Sequence, residues 1–146
     1  MFDKPPVAHA IVRFLQVKLA SWFVRVHNKM AAPQTTADCI FCKMADGQMA
    51  TTKLIDDDFC FAIADIRPQS PKHFLVIPKE HFANITQCPD PSMIGRLFQA
   101  ATTVAKKEGL EKGFRLVVNT GDDGGQTVHH LHIHVLGGRF MTWPPG

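Results

Sequence analysis

The segment Val128-His129-His130-Leu131-His132-Ile133-His134-Val135 alternates imidazole with aliphatic side chains. In an extended strand successive side chains point to opposite faces. His130, His132 and His134 therefore share one face, while Leu131, Ile133 and Val135 share the other and can pack on a core. Three imidazoles in a row suit three chemistries: binding a transition metal, moving protons near neutral pH, and attacking phosphorus. His129 falls on the opposite side and receives no catalytic role.

Two further groupings carry chemical possibilities. Cys39-x-x-Cys42 supplies two thiols, half of a tetrahedral metal site. Gly121-Asp122-Asp123-Gly124-Gly125 precedes Gln126 and Thr127. Main-chain amides in such a loop can approach phosphate oxygens closely, and the same glycines also suit a plain turn between strands. The other cysteines, Cys60 and Cys88, are isolated, which is not the pattern of a disulfide-stapled secreted domain. A reducing compartment is expected. Cys60, between Phe59 and Phe61, reads as a small buried apolar residue.

The elements that must position these groups are short. Residues 53–55 and 59–64 read as two strands around the acidic turn Asp56-Asp57-Asp58. Arg67-Pro68-Gln69-Ser70-Pro71 is a loop, because each proline removes a main-chain donor. Residues 73–77 form a strand stopped by Pro78. Met93, Ile94, Leu97, Phe98, Ala101, Val104 and Ala105 make one stripe at helical spacing, predicting a helix over 92–107. Asp90 or Ser92 can cap its start and Gly109 can close it. Residues 115–119 and 128–136 complete the strands. The class is α+β, a mainly antiparallel sheet with one main helix.

A chain of 146 residues suits one domain. Its net charge of +3 is unevenly placed. Residues 1–29 hold Lys4, Arg13, Lys18, Arg25 and Lys29 against Asp3 alone, which is +4 and leaves −1 for the rest. A near-neutral body offers no basic face for DNA or RNA. The leader is apolar and amphipathic, but Arg13, Lys18 and Arg25 break it below the length of a membrane span. Basic and nearly acid-free, it resembles a mitochondrial transit segment; an inert extension, or a second start at Met30, fits the same residues. The expected organisation is a leader and linker over 1–38 and one domain over 39–146. A targeting leader implies mitochondria, and an inert or absent one implies cytoplasm and nucleus.

H-x-H-x-H flanked by apolar residues resembles the signature of the histidine-triad (HIT) family. Ile40-Phe41-Cys42-Lys43, Asp65-Ile66-x-Pro68-Gln69, His73-Phe74-Leu75-Val76-Ile77-Pro78-Lys79, Val117-Val118-Asn119 and Gly124-Gly125-Gln126-Thr127 are similar to family segments. The ending Gly137-Gly138-Arg139 … Trp143-Pro144-Pro145-Gly146 is similar to the Hint branch rather than to the branches acting on dinucleotides or sugar nucleotides.

The resemblance implies a HIT-like fold and a hydrolase that cleaves the P–N bond of purine nucleoside 5′-phosphoramidates. His132 would be the nucleophile, forming a nucleotidyl-histidine intermediate, held by the main-chain carbonyl of His130. His134 would contact the phosphate or move a proton. Thr127, where the family usually has serine, would place a hydroxyl near the leaving atom. Asp65 would hold the ribose, and Ile40, Phe41, Ile63, Ile66 and Leu75 would form the purine slot. Asn119 would bind the phosphate or orient the nucleophile's surroundings, Gly125 and Gln126 would lie along the phosphate, and His73 would lend a supporting hydrogen bond.

The same resemblance implies a structural Zn²⁺ on Cys39, Cys42, His81 and His130, with no metal needed for the chemistry. It also implies a homodimer, with the segment around Trp143 reaching the partner's site. Dinucleoside polyphosphate hydrolysis uses the same triad, and a regulatory nucleotide-binding module would use the same contacts. Neither nucleic acid nor a stable membrane insertion is an expected partner.

Overall fold

The structure is a computed structural model that describes residues 36–145. The expectations for the basic leader and for Gly146 lie outside the described residues. The described chain runs through helix α1 (Ile40–Ala45), strands β1 (Lys53–Asp56), β2 (Cys60–Ala64) and β3 (Lys72–Pro78), and a short 3₁₀ turn (Ile85–Gln87). Helix α2 (Pro91–Lys107) and strands β4 (Phe114–Val117) and β5 (Ile133–Gly137) follow. The five strands form one sheet in the order β1-β2-β3-β5-β4, with every neighbouring pair antiparallel.

Local chemistry explains the boundaries. The Asp57 carboxylate accepts from the N–H groups of Phe59 and Cys60, both at 2.7 Å, and so turns β1 into β2. Asp90 caps α2 by accepting from the Ser92 N–H at 2.8 Å, and Pro91 occupies the first turn, where its missing N–H costs nothing. Gly109, at φ +76°, turns the chain out of the helix.

Central strand β3 is buried on both faces, and its alternation divides the apolar residues into two clusters. Phe74 and Val76 point toward α2, where they meet Cys60, Ala62, Leu97, Ala101, Val104, Ile133 and Val135. Leu75 and Ile77 point the other way, toward Phe61, Ile63 and the α1 residues Phe41 and Cys42. Phe98, on the predicted apolar stripe of α2, is exposed in the single chain.

The expected strand over 128–136 is shorter than predicted, beginning only at Ile133. Upstream, other partners satisfy the main chain. The Gln126 side-chain amide donates to the carbonyls of Ala83 at 2.6 Å and Val128 at 3.0 Å, and the Leu131 N–H donates to the Phe82 carbonyl at 2.6 Å. The ladder with β3 therefore starts at the Val76–Ile133 pair. For the same reason β4 ends at Val117, opposite His134, rather than at Asn119.

Candidate active site

The side-chain alternation survives the loss of regular strand. Leu131, Ile133 and Val135 all enter the α2-side core, and the three imidazoles lie on the other side. They are not on an open surface: His130 is 0% exposed and His132 6%. Phe41 stands edge-on to both rings, with centroids 5.7 Å from His130 and 5.3 Å from His132. The His132 and His134 rings are 4.9 Å apart.

Hydrogen bonding decides which nitrogen of each ring carries the proton. His132 Nδ1 lies 2.7 Å from the His130 carbonyl, which can only accept, so Nδ1 holds the proton and Nε2 presents a lone pair. The opposite holds for His134. The Gln69 N–H donates to His73 Nδ1 at 3.1 Å, so the His73 proton is on Nε2. That Nε2 donates to His134 Nδ1 at 2.9 Å, which leaves the His134 proton on Nε2. Among the described residues, His134 Nε2 is buried and has no hydrogen-bond partner. Two adjacent imidazoles thus present a lone pair and an N–H.

Burial lowers the pKa of all four rings. It pushes His130 and His134 down to about 4, and at His134 the nearby His132 and His73 add to the effect. His132 and His73 are also lowered by burial, against the opposing charge of Asp65. Neutral imidazoles therefore persist at pH 7, which keeps the His132 lone pair available.

Asp65 Oδ2 lies 3.4 Å from His73 Nε2 and 3.9 Å from His134 Nδ1. This trio has the composition of a metal site, but the Gln69 N–H prevents a proton from moving to His73 Nδ1. His73 Nε2 keeps its proton and is not a ligand. Within the trio the hydrogen bond runs from His73 Nε2–H to His134 Nδ1, and the Asp65 carboxylate lies beside both rings.

A different chemistry suits Cys39, Cys42, His81 and His130, whose ligand atoms all lie within 4.8 Å of one another. His130 Nδ1 is 3.3 Å from Cys39 Sγ, 3.5 Å from Cys42 Sγ and 3.2 Å from His81 Nδ1. Bonds of about 2.3 Å to sulfur and about 2.0–2.1 Å to nitrogen set tetrahedral zinc ligands about 3.3–3.8 Å apart. His130 Nε2 donates to the Pro78 carbonyl at 2.9 Å, which turns a lone pair on Nδ1 toward the sulfurs. Without a cation, burial and the neighbouring Cys39 push the Cys42 thiol up to about 12, and a bound cation reverses that. The four residues fit zinc.

The remaining predicted residues divide. Phe41, Ile63 and Leu75 gather in one apolar cluster, with Leu75 paired to His134 across the sheet. Ile40 is exposed and Ile66 is 91% exposed, so neither belongs to a closed slot in the single chain. Asn119 is half-buried and Thr127 exposed. Gly125 and Gln126, expected along the phosphate, take part in the turn that precedes Thr127. The Gly125 N–H donates to the Asp122 carbonyl at 2.9 Å and the Gln126 N–H to the Gly121 carbonyl at 3.1 Å, so both are engaged within the turn. Sequence reasoning did not find the roles of Gln69 and Pro78, because both act through the main chain.

The HIT domain matches residues 46–141 of the chain. Adenylylsulfatase HINT1 of Arabidopsis thaliana is 40% identical over 121 residues, 80% of this chain and 82% of that protein. A HIT family hydrolase from Legionella pneumophila, solved by crystallography, is 47% identical with a TM-score of 0.71, covering 74% of this chain and 99% of its own. A zinc-bound histidine triad family protein from Mycobacterium smegmatis is 31% identical with a TM-score of 0.65, covering 72% and 78%. The matched domain, the α+β fold and the three aligned imidazoles lead to one assignment: the chain belongs to the HIT domain family.

Proposed function

We propose that the chain is a hydrolase of purine nucleoside 5′-phosphoramidates that works through two displacements at phosphorus. The reading is carried by the opposite proton placement on His132 and His134. His132 Nε2 attacks the α-phosphorus, forming an N–P bond as the P–N bond to the amine breaks. The departing nitrogen needs a proton, delivered by His134 Nε2–H, while His73 Nε2–H stays hydrogen-bonded to His134 Nδ1 and stabilises the ring that has given up its proton. The positive charge left on the nucleotidyl-His132 ring is held by the His130 carbonyl and offsets the proton lost from the pair. Water then attacks phosphorus, the imidazole leaves, and the proton from water returns to His134 Nε2. One water is consumed, and nucleoside monophosphate and amine are released.

Asp65 holds the ribose, and Phe41, Ile63 and Leu75 give the base an apolar wall. Thr127 and Asn119 reach the phosphate or leaving group, and Gly125 and Gln126 shape the turn that carries Thr127. Cys39, Cys42, His81 and His130 hold a structural Zn²⁺, which supplies a fixed cross-link and no chemistry at phosphorus. A homodimer is supported by the position of β4 at the sheet edge and by the exposure of Phe98 and Phe114. Trp143, 83% exposed, suits a segment that reaches the partner's site.

A second substrate class shares the first displacement. An adenylyl sulfate presents the same phosphorus with sulfate as the leaving group, and the Arabidopsis relative bears the name of that activity. Sulfate leaves as a stable anion and needs no proton. Measuring kcat/KM for an adenosine 5′-phosphoramidate and for adenylyl sulfate tests the assignment: the amine substrate is expected to turn over faster. Turnover of sulfate alone would shift the function to the second class. Binding of AMP with turnover of neither would favour a regulatory module.

A further inference from the structure

One residue belongs to both the cysteine–histidine cluster and the nucleophile's support. The His130 ring faces the sulfurs of Cys39 and Cys42, while its main-chain carbonyl, two residues before His132, accepts from His132 Nδ1 at 2.7 Å. Helix α1 ties the two regions a second time. Cys39 stands at its N-terminal boundary, Cys42 lies within it, and Phe41 between them packs edge-on against the His130 and His132 rings. The two sulfurs, the carbonyl and the aromatic wall around the nucleophile are thus joined through His130 and α1.

The cluster is also reachable. An open cleft of about 320 Å³, lined by Thr36, Lys43, Asp46 and Lys79, ends on Cys42 and His81, whereas Cys39 and His130 are fully buried behind them. A small solute meets Cys42 first. The two sulfurs lie within 4.8 Å of each other, so a modest approach brings them to bonding distance.

We propose that this cluster is a redox-sensitive control on the nucleophile, resting on the reading of the cluster as a metal site and of His132 as the attacking residue. With a divalent metal bound, His130 is fixed and holds His132 with its proton on Nδ1. A peroxide entering through the cleft is attacked by the Cys42 thiolate. The O–O bond breaks, a sulfenic acid forms, and hydroxide leaves. The Cys39 thiolate then attacks that sulfur, forming the S–S bond and releasing a second hydroxide, and two protons from solvent complete two waters. The peroxide gains two electrons, the two thiolates lose them, and the metal departs as a free divalent ion. His130 loses its link to the sulfurs and keeps only the Pro78 carbonyl as a side-chain anchor, and the main-chain carbonyl that sets the His132 tautomer shifts. A dithiol with added zinc reverses the change.

The test uses the full chain loaded with zinc. Hydrogen peroxide is added, released zinc is read with a chromogenic chelator, and the His132 nitrogens are followed by nitrogen-15 NMR. Turnover of an adenosine 5′-phosphoramidate is measured in parallel. The expected result is loss of zinc together with the His132 Nδ1–H signal, and a fall in kcat of about tenfold to a hundredfold. KM should change by less than about twofold, and dithiothreitol with zinc should restore all readings. Thiol oxidation without zinc release would overturn the proposal, as would zinc release that leaves the His132 signal and kcat unchanged. If the metal-free chain unfolds, replacement of zinc by Cd²⁺ keeps the site filled. Its longer bonds to sulfur are expected to shift the His132 nitrogen signals, and unshifted signals would contradict the coupling. Because the NMR readings do not depend on turnover, a chain that shows the coupling but hydrolyses nothing would overturn the functional reading alone.

Discussion

His73 Nε2 lies 2.9 Å from His134 Nδ1, and the Gln69 N–H holds the far side of the His73 ring at 3.1 Å. His73 acts on the reaction only through His134, by keeping a proton on the nitrogen that faces the site. In His73→Leu the proton of His134 is free to settle on either nitrogen. Hydrolysis of an amine-leaving substrate is expected to fall about tenfold to a hundredfold in kcat. Hydrolysis of adenylyl sulfate, whose leaving group takes no proton, should fall much less. Equal losses on both substrates, measured under saturating conditions, would remove His73's control of the His134 proton from the mechanism.

Acid should weaken the fold before most carboxylates titrate. Burial holds His134 at about 4, below the 6.5 of a free imidazole. Between those values the unfolded chain binds more protons than the folded one, so stability rises with pH across the window. The contribution is complete above pH 6.5 and is lost as the pH falls toward 4. A shift of that size corresponds to about 3 kcal/mol. Thermal unfolding at pH 7 and pH 4.5 should show a clearly lower Tm in acid, and an unchanged Tm would contradict the buried neutral imidazole.

Elements defined by neighbouring residues were legible in the sequence. Asp90, one of the two expected caps, and Gly109 bracket α2 by capping and by positive φ, and both act within a turn of the helix. The alternation through residues 130–135 located the imidazole face correctly, because period two holds in any extended chain. What escaped were competitions settled at long range. Residues 128–132 were lost to the strand because Gln126 and Phe82 supply other partners for residues 128 and 131. The tautomer of His134 depends on Gln69 through His73, a link between two segments far apart in sequence. Ile66, apolar and placed beside Asp65, proves to be surface.

The metal reading makes a separable prediction. Replacing both thiols, as in Cys39→Ser with Cys42→Ser, leaves two nitrogen ligands, too few for a closed zinc site. Elemental analysis should find about one zinc per wild-type chain and none in the variant, with Tm several degrees lower in the variant. Equal zinc content in the two proteins would exclude these cysteines as ligands.

Gly124 has a steric reason to be glycine. A Cβ built there would meet the Thr120 main chain, with its nitrogen at 2.8 Å, and no side-chain rotation relieves such a contact. Gly124→Ala should cost about 1–3 kcal/mol as the loop shifts. Because the same loop leads into Thr127, kcat should fall with it. Urea unfolding checks the first effect, and an unchanged midpoint would mean that the loop adjusts freely.

The central claim is that the His132 lone pair forms a bond to phosphorus. Acid quenching of the reaction within its first turnovers, followed by mass spectrometry of peptides, reads that bond directly. The expected result is a nucleoside monophosphate adduct on the peptide containing His132 and localised to that residue. It should be absent in His132→Ala, which should still bind AMP. An adduct on another residue, or full turnover by His132→Ala, would contradict the account.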